Sequence, residues 1–164
     1  MDTSTFTHFF RAGHGTTLQA AAPGGIALIP REVETEIDRA RDRYDGVPPL
    51  DRVDWVTRIF MADDEQWTAT LVKAALGGGA EEHLGESAVI ACAHHRGLVA
   101  VLDERAAVAQ ARARGVAHID TMGIVARLHR DVFGGDKSRS IALVDDLLGT
   151  DMWLPVTSGA QIFG

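Results

Sequence analysis

Cysteine is almost absent from this chain of 164 residues: Cys92 is the single one, which excludes an internal disulfide framework and a cysteine-based zinc site. Long apolar runs are also lacking, since no stretch approaches the ~20 residues of a membrane span and no secretory signal opens the chain. Positive charge is scarce, with 16 Lys and Arg against 23 Asp and Glu, which disfavours coating of nucleic acid by bulk charge. We therefore expect a soluble cytoplasmic protein without membrane contacts, in which any contact with nucleic acid is local.

The composition is that of one globular domain, with 46% hydrophobic and 24% charged residues, and we expect a single domain over 1–164. Short apolar runs alternate with helical patterns, which predicts an α/β fold of three layers, with a short central parallel sheet between helices. Strands are predicted at 26–29, 53–60, 98–102 and 116–119, helices at 3–11, 31–43, 65–76, 86–96, 104–114, 121–130 and 141–148, and a loop at 133–140. The segment 13–25 is rich in Gly, Ala and Thr and ends in Pro23-Gly24-Gly25.

Four acids fall near the predicted carboxyl ends of strands, where α/β proteins bind ligands. Asp103 directly follows a strand, Glu86 and Glu36 lie on helices, and Asp2 precedes the first helix. Their spacing alone does not bring them together. Each also has a structural explanation: Asp2, Glu86 and Glu104 suit the positive ends of helix dipoles, and Glu36 suits a solvated helix face.

Five segments, in order along the chain, resemble the successive motifs of the PIN-domain family: 2–6 (DTSTF), 29–37 (IPREVETEI), 84–93 (LGESAVIACA), 101–107 (VLDERAA) and 121–125 (TMGIV). The resemblance is to compact bacterial PIN proteins related to VapC-type toxins. It covers residues 2 to about 131, so that 132–164 would form a C-terminal helix and tail.

This resemblance implies a metal-dependent endoribonuclease that hydrolyses RNA phosphodiester bonds, with a role as the toxin of a toxin–antitoxin pair as one option. It also implies a homodimer and an antitoxin protein as partners. Carboxylate oxygens are the ligands that Mg²⁺ and Mn²⁺ prefer, in agreement with this chemistry. By motif, the catalytic acids are Asp2, Glu36, Glu86 and Asp103, the metal ligands are Asp2, Glu86 and Asp103, and the substrate contacts are Ser4 and Arg105.

Two positions depart from the family pattern. Only Met1 precedes Asp2, where relatives usually have an apolar strand, so we expect a truncated first strand and a gain in stability when the chain is extended upstream. Asp120 stands where relatives usually have a small residue. In addition, Glu104 would replace Asp103 as the fourth acid if the motif were shifted by one residue.

Three alternatives stay open at this point. Ser4 suits the N-cap of the first helix as well as a substrate contact. The whole chain suits a catalytically silent PIN-like module that binds RNA or protein. It also suits a phosphate-handling α/β enzyme with Asp2 as nucleophile, although position 4 lacks the second acid of such enzymes.

Among the other reactive side chains, arginine accounts for 14 of the 16 basic residues, and this side chain suits bidentate phosphate contacts. The histidines lack zinc-site spacing, and Cys92 suits a small buried hydrophobe. We expect Trp55, Trp67 and Trp153 in the core or at an interface. The candidates for RNA contact are Arg11, Arg105, Arg127, Arg130, Lys137 and Arg139.

Overall fold

The computed structural model of the protein describes residues 1–163, which form eight helices and four short strands. In chain order these are α1 (Thr3–Arg11), α2 (Gly15–Ala21), β1 (Ala27–Pro30), α3 (Arg31–Arg41), β2 (Val56–Ile59), α4 (Asp63–Leu76), α5 (Leu84–Arg96), β3 (Ala100–Val101), α6 (Arg105–Ala113), β4 (His118–Ile119), α7 (Thr121–Asp131) and α8 (Lys137–Leu148). Short 3₁₀ turns cover Pro23–Gly25, Leu50–Arg52 and Gly159–Phe163. The predicted α/β class with parallel strands is confirmed.

The strands form two parallel pairs, β1 with β2 and β3 with β4. Ala27 is in register with Val56, and Ala100 is in register with His118. The central sheet that the sequence predicts is therefore present as two separate halves.

Met1 and Asp2 lie between these two halves. The Met1 amino group donates to the Leu28 carbonyl over 3.2 Å, and the Asp2 amide donates to the Val101 carbonyl over 3.1 Å. Met1 thus makes one strand-like hydrogen bond to β1, and Asp2 makes one to β3. Two residues are too few to complete a strand, which explains why the halves are not one continuous sheet.

Helix α5 holds the core together, packing against α3, α4, α6, β1 and β3. Its residues 87–93 are all buried, so this stretch is covered around its whole circumference rather than on one stripe. A second helical group joins α1, α2, α7 and α8. Phe6 and Phe9 of α1 and Leu128 of α7 are fully buried and belong to the same core. Among residues 1–163, none of the helices is long and apolar enough to cross a bilayer.

Several predicted boundaries were wrong for identifiable reasons. The segment 13–25, to which the sequence analysis assigned no helix, contains α2, whose seven residues are too few for a helical period to show. Helix α8 begins four residues before the predicted 141, because the Asp136 side chain caps it by accepting from the Arg139 amide over 3.2 Å. Of the tryptophans, Trp55 is buried as expected, whereas Trp67 and Trp153 are 65% and 67% exposed.

Candidate functional site

The carboxylates of Asp2 and Asp103 are held side by side by the backbone. Asp2 is the N-cap of α1, with Oδ1 accepting from the Thr5 amide over 3.0 Å. Its Oδ2 accepts from the Asp103 amide over 3.1 Å. Asp103 accepts from the Thr121 amide and hydroxyl, both over 2.7 Å, and from the Thr5 hydroxyl over 3.2 Å. The start of α1, the end of β3 and the start of α7 therefore converge on these two carboxylates.

Glu36 is held at the same edge by a different set of contacts. One carboxylate oxygen accepts from the Gly85 amide over 2.9 Å, and the other accepts from the Thr3 hydroxyl. A Cβ on Gly85 would collide with this carboxylate, so the absence of a side chain there is what allows the approach. Residues from α1, α3 and α5 thus meet at Glu36.

A third group of side chains consists of His83, Glu86 and Glu104. One ligand atom from each lies within 4.8 Å of the others, which is close enough for all three to hold one ion. The His83 Nδ1 atom lies 3.1 Å from a Glu104 carboxylate oxygen. His83 has φ of 56°, a left-handed backbone that non-glycine residues seldom adopt and that often marks a functional position.

The pKa values show that these acids act on one another. Burial, and after it the neighbouring Asp103 charge, together raise the pKa of Asp2 to about 6. Burial also raises the pKa of Glu86, with smaller contributions from the charges of Glu36 and Glu104. The acids predicted from the sequence form two negatively charged groups, Asp2 with Asp103 and Glu86 with Glu36 and Glu104. The groups are connected through Thr3, which follows Asp2 and donates its hydroxyl to Glu36, and together they are called the pocket. A cation would relieve the repulsion within each group.

Comparison with known families identifies the family of the chain that carries this pocket. A family model described as a PIN domain matches residues 1–163. The chain belongs to the PIN-domain family. PIN domains are generally nucleases and typically use divalent metal ions. Among curated proteins and solved structures, none matches this chain significantly.

The two acids between which the sequence left a choice both lie in this PIN-domain pocket. Asp103 contacts Asp2 and the two threonines, whereas Glu104 contacts His83. Asp120 has a separate role, because its exposed side chain caps α7 by accepting from the Gly123 amide over 2.7 Å. Within residues 1–163, no hydrogen bond or ion pair links Asp120 to the other acids.

The two predicted substrate contacts are both exposed. Ser4 is exposed in the first turn of α1, and the N-cap is Asp2, so the alternative that Ser4 caps this helix was wrong. Arg105 is the exposed first residue of α6, directly after Glu104. Its guanidinium carbon lies 5.5 Å from the centre of the exposed Trp153 ring, which forms a cation–π pair.

Sequence reasoning assigned no role to several residues that shape the pocket. Thr5 and Thr121 lie inside the motif segments, each in the first turn of a helix near an acid, and this position is the signal that could have identified them. Thr3 and Gly85 also lie in or beside those motifs. His83 offered no such signal, because its relation to Glu104 depends on tertiary packing.

Proposed function

We propose that this PIN-domain protein is a metal-dependent endoribonuclease that hydrolyses RNA phosphodiester bonds. The observation that supports the proposal is the grouping of Asp2 with Asp103 and of Glu86 with Glu36, in which burial and neighbouring acids raise the pKa values of Asp2 and Glu86. Such mutual repulsion is costly for a pocket with a merely structural role. It is typical of a site that holds a divalent cation.

The donor set fits Mg²⁺ or Mn²⁺, with Asp2, Glu86 and Asp103 as the proposed ligands. Each Asp2 oxygen accepts one backbone N–H bond, which leaves each with a lone pair free for an ion. The same two bonds disfavour the alternative of Asp2 as a covalent nucleophile, because they stabilise its charge. A bound divalent ion supplies a water of lowered pKa and neutralises charge on the phosphodiester oxygens.

The other side chains of the pocket act as positioning residues. Thr5 and Thr121 orient the Asp103 carboxylate through their hydroxyls, and the Gly85 amide orients Glu36. In this proposal the exposed Arg105 contacts a phosphate, and the exposed Ser4 hydroxyl donates to the substrate or to a water. The Trp153 ring restricts the Arg105 side chain and so reduces the entropy lost on binding.

Cleavage of a mixed RNA pool with Mn²⁺ or Mg²⁺ tests this function. We expect cutting by the wild-type protein that a chelator abolishes, and a loss of at least about 100-fold in Asp103→Asn. Thermal unfolding with and without Mn²⁺ serves as the companion measurement. Absence of cutting together with absence of a metal-induced thermal shift would favour a catalytically silent PIN-like module instead.

The proposal includes a homodimer and, as a further option, a toxin role with an inhibitory antitoxin. The homodimer has structural support, because Trp67 and Leu71 are one turn apart on α4 and expose 65% and 48% of their surface, and Phe60 just before α4 exposes 62%. A dimer through this face predicts that Trp67→Glu yields monomers in light scattering. Unchanged mass would place the interface elsewhere.

A further inference from the structure

The Trp153 ring lies in solvent, although both of its neighbours in the chain are buried. Met152 and Leu154 belong to the core, whereas Trp153 is 67% exposed. The two buried neighbours fix this segment, which follows α8, against the body of the protein. A single exposed apolar side chain is common on protein surfaces and by itself indicates no function. The function of this ring therefore has to be inferred from the groups around it.

Helix α1 anchors the segment that carries Trp153. The Nδ1 atom of His8 lies 2.7 Å from the hydroxyl oxygen of Thr150, which is buried. Burial lowers the pKa of His8, and the nearby charges of Asp103 and Asp151 oppose this shift. His8 is therefore close both to the pocket and to the segment before Trp153.

Arg105 brings a positive charge to the Trp153 ring. Its guanidinium carbon lies 5.5 Å from the centre of the ring, and Arg105 follows Asp103 by only two residues. Within residues 1–163, no carboxylate forms an ion pair with Arg105, in contrast to Arg130, which pairs with Asp131 over 2.6 Å. The charge of Arg105 is thus available to a ligand beside the pocket.

The ring and the guanidinium together are complementary to a nucleotide. Nucleobases stack on aromatic rings and on guanidinium planes, and a guanidinium without a carboxylate partner binds phosphate. A nucleotide offers both a flat base and an anionic phosphate, whereas an apolar protein partner would leave the Arg105 charge without a counterpart. In a duplex, both faces of a base are covered by neighbouring bases. The complementary ligand is therefore an unpaired base in single-stranded RNA.

We propose that Trp153 and Arg105 form a stacking platform for an unpaired base of the RNA substrate, next to the phosphodiester bond that is cut. The Trp153 ring supports the base, and the Arg105 guanidinium contacts an adjacent phosphate. This inference rests on the proposed ribonuclease function, and it adds to that function a preference for single-stranded over double-stranded RNA.

Binding of RNA of about ten nucleotides, as a single strand and as the duplex with its complement, tests the stacking platform. The parent protein is Asp103→Asn, so that the RNA stays intact. In this parent, Trp153→Leu keeps an apolar side chain but removes the aromatic face, and its affinity for the single strand should fall at least about fivefold. Trp153→Phe still stacks and should stay within about threefold of the parent.

A matched control is Tyr44→Leu, which removes another exposed ring from a cation–π pair. Tyr44 lies 4.1 Å from the guanidinium carbon of Arg11, whose charge already faces Asp151. This variant should bind single-stranded RNA as the parent does. In Trp153→Leu, the affinity for the duplex should change by less than about twofold, because a paired base cannot reach the ring.

Tryptophan emission gives a signature of stacking that a structural role would not produce. Single-stranded RNA should quench part of the emission of the parent, and this part should be lost in Trp153→Phe although RNA still binds. Equal affinities of Trp153→Leu and the parent for the single strand would overturn the proposal, and so would equal losses for single strand and duplex. A lower mass of Trp153→Leu in light scattering would also overturn it, because the ring would then belong to a subunit interface. Failure of the wild-type protein to cut RNA would contradict the proposed function alone, since the binding assays do not depend on cleavage.

Discussion

Repulsion between Asp2 and its surroundings should make the stability of the metal-free protein depend on pH. Burial and Asp103 raise the pKa of Asp2 from 3.8 to about 6 in the folded state. The folded protein therefore holds this proton more tightly than the unfolded chain does. The resulting stabilisation is fully present below pH 3.8 and is lost as the pH rises through about 6. A shift of about two units corresponds to roughly 3 kcal/mol of unfolding free energy.

Substitution of Asp2 by Asn removes the titrating group and is the perturbation that tests this reasoning. Urea unfolding of both proteins in chelator, at intervals from pH 4 to 7.5, measures the unfolding free energy. The wild-type protein should lose roughly 2.4 kcal/mol more than Asp2→Asn across this range, which begins slightly above the unfolded pKa. In the variant, the Asn side chain lies against the Asp103 amide, which changes the unfolding free energy by the same amount at every pH. The dependence of the unfolding free energy on pH is therefore unaffected by this contact. Parallel curves for the two proteins would refute the electrostatic account.

Three further substitutions test separate parts of the pocket. Gly85→Ala places a methyl group against the Glu36 carboxylate, which can move aside, so the unfolding free energy should stay within about 1 kcal/mol of wild type. Because Glu36 is displaced, the rate of RNA cleavage should fall at least tenfold. An unchanged cleavage rate would mean that the position of Glu36 is unimportant. His83→Gln removes an imidazole near Glu86 and Glu104. Because nitrogen ligands favour Mn²⁺ over Mg²⁺, the ratio of Mn²⁺ affinity to Mg²⁺ affinity measured by calorimetry should fall. An unchanged ratio would place the ion away from His83. Arg105→Gln should weaken RNA binding in a filter-binding assay and reduce the slope of log binding constant against log salt concentration by about one. Equal slopes for the variant and the wild-type protein would exclude a phosphate contact of Arg105.

The sequence predicted the parts of the site that depend on local order along the chain. Asp103 could be placed because an apolar run ends directly before it, and Glu86 because a glycine and a helical pattern surround it. The resemblance then indicated that these acids belong together. The carboxyl ends of parallel strands are where α/β proteins bind ligands, so the predicted order of strands and helices was enough to select these acids as candidates.

The remaining features depend on contacts between distant segments. Thr5 and Thr121 both reach Asp103, yet they are 116 positions apart, and an isolated threonine carries no signal for this. The left-handed backbone of His83 arises from the turn before α5 and has no glycine to mark it. The sheet is divided into two halves because Met1 and Asp2 make only one strand-like hydrogen bond to each half, and sequence periodicity does not encode this.

The most direct test of the central claim, that these acids hold a divalent ion, is the anomalous scattering of a crystal soaked in Mn²⁺ near pH 8. The account predicts a peak at roughly 2.0–2.3 Å from carboxylate oxygens of the pocket, with Asp2, Glu86 or Asp103 among the ligands. The same peak should be absent or weakened in Asp103→Asn. A crystal of the wild-type protein that shows no peak in this pocket at millimolar Mn²⁺, or shows one only elsewhere, would contradict the account.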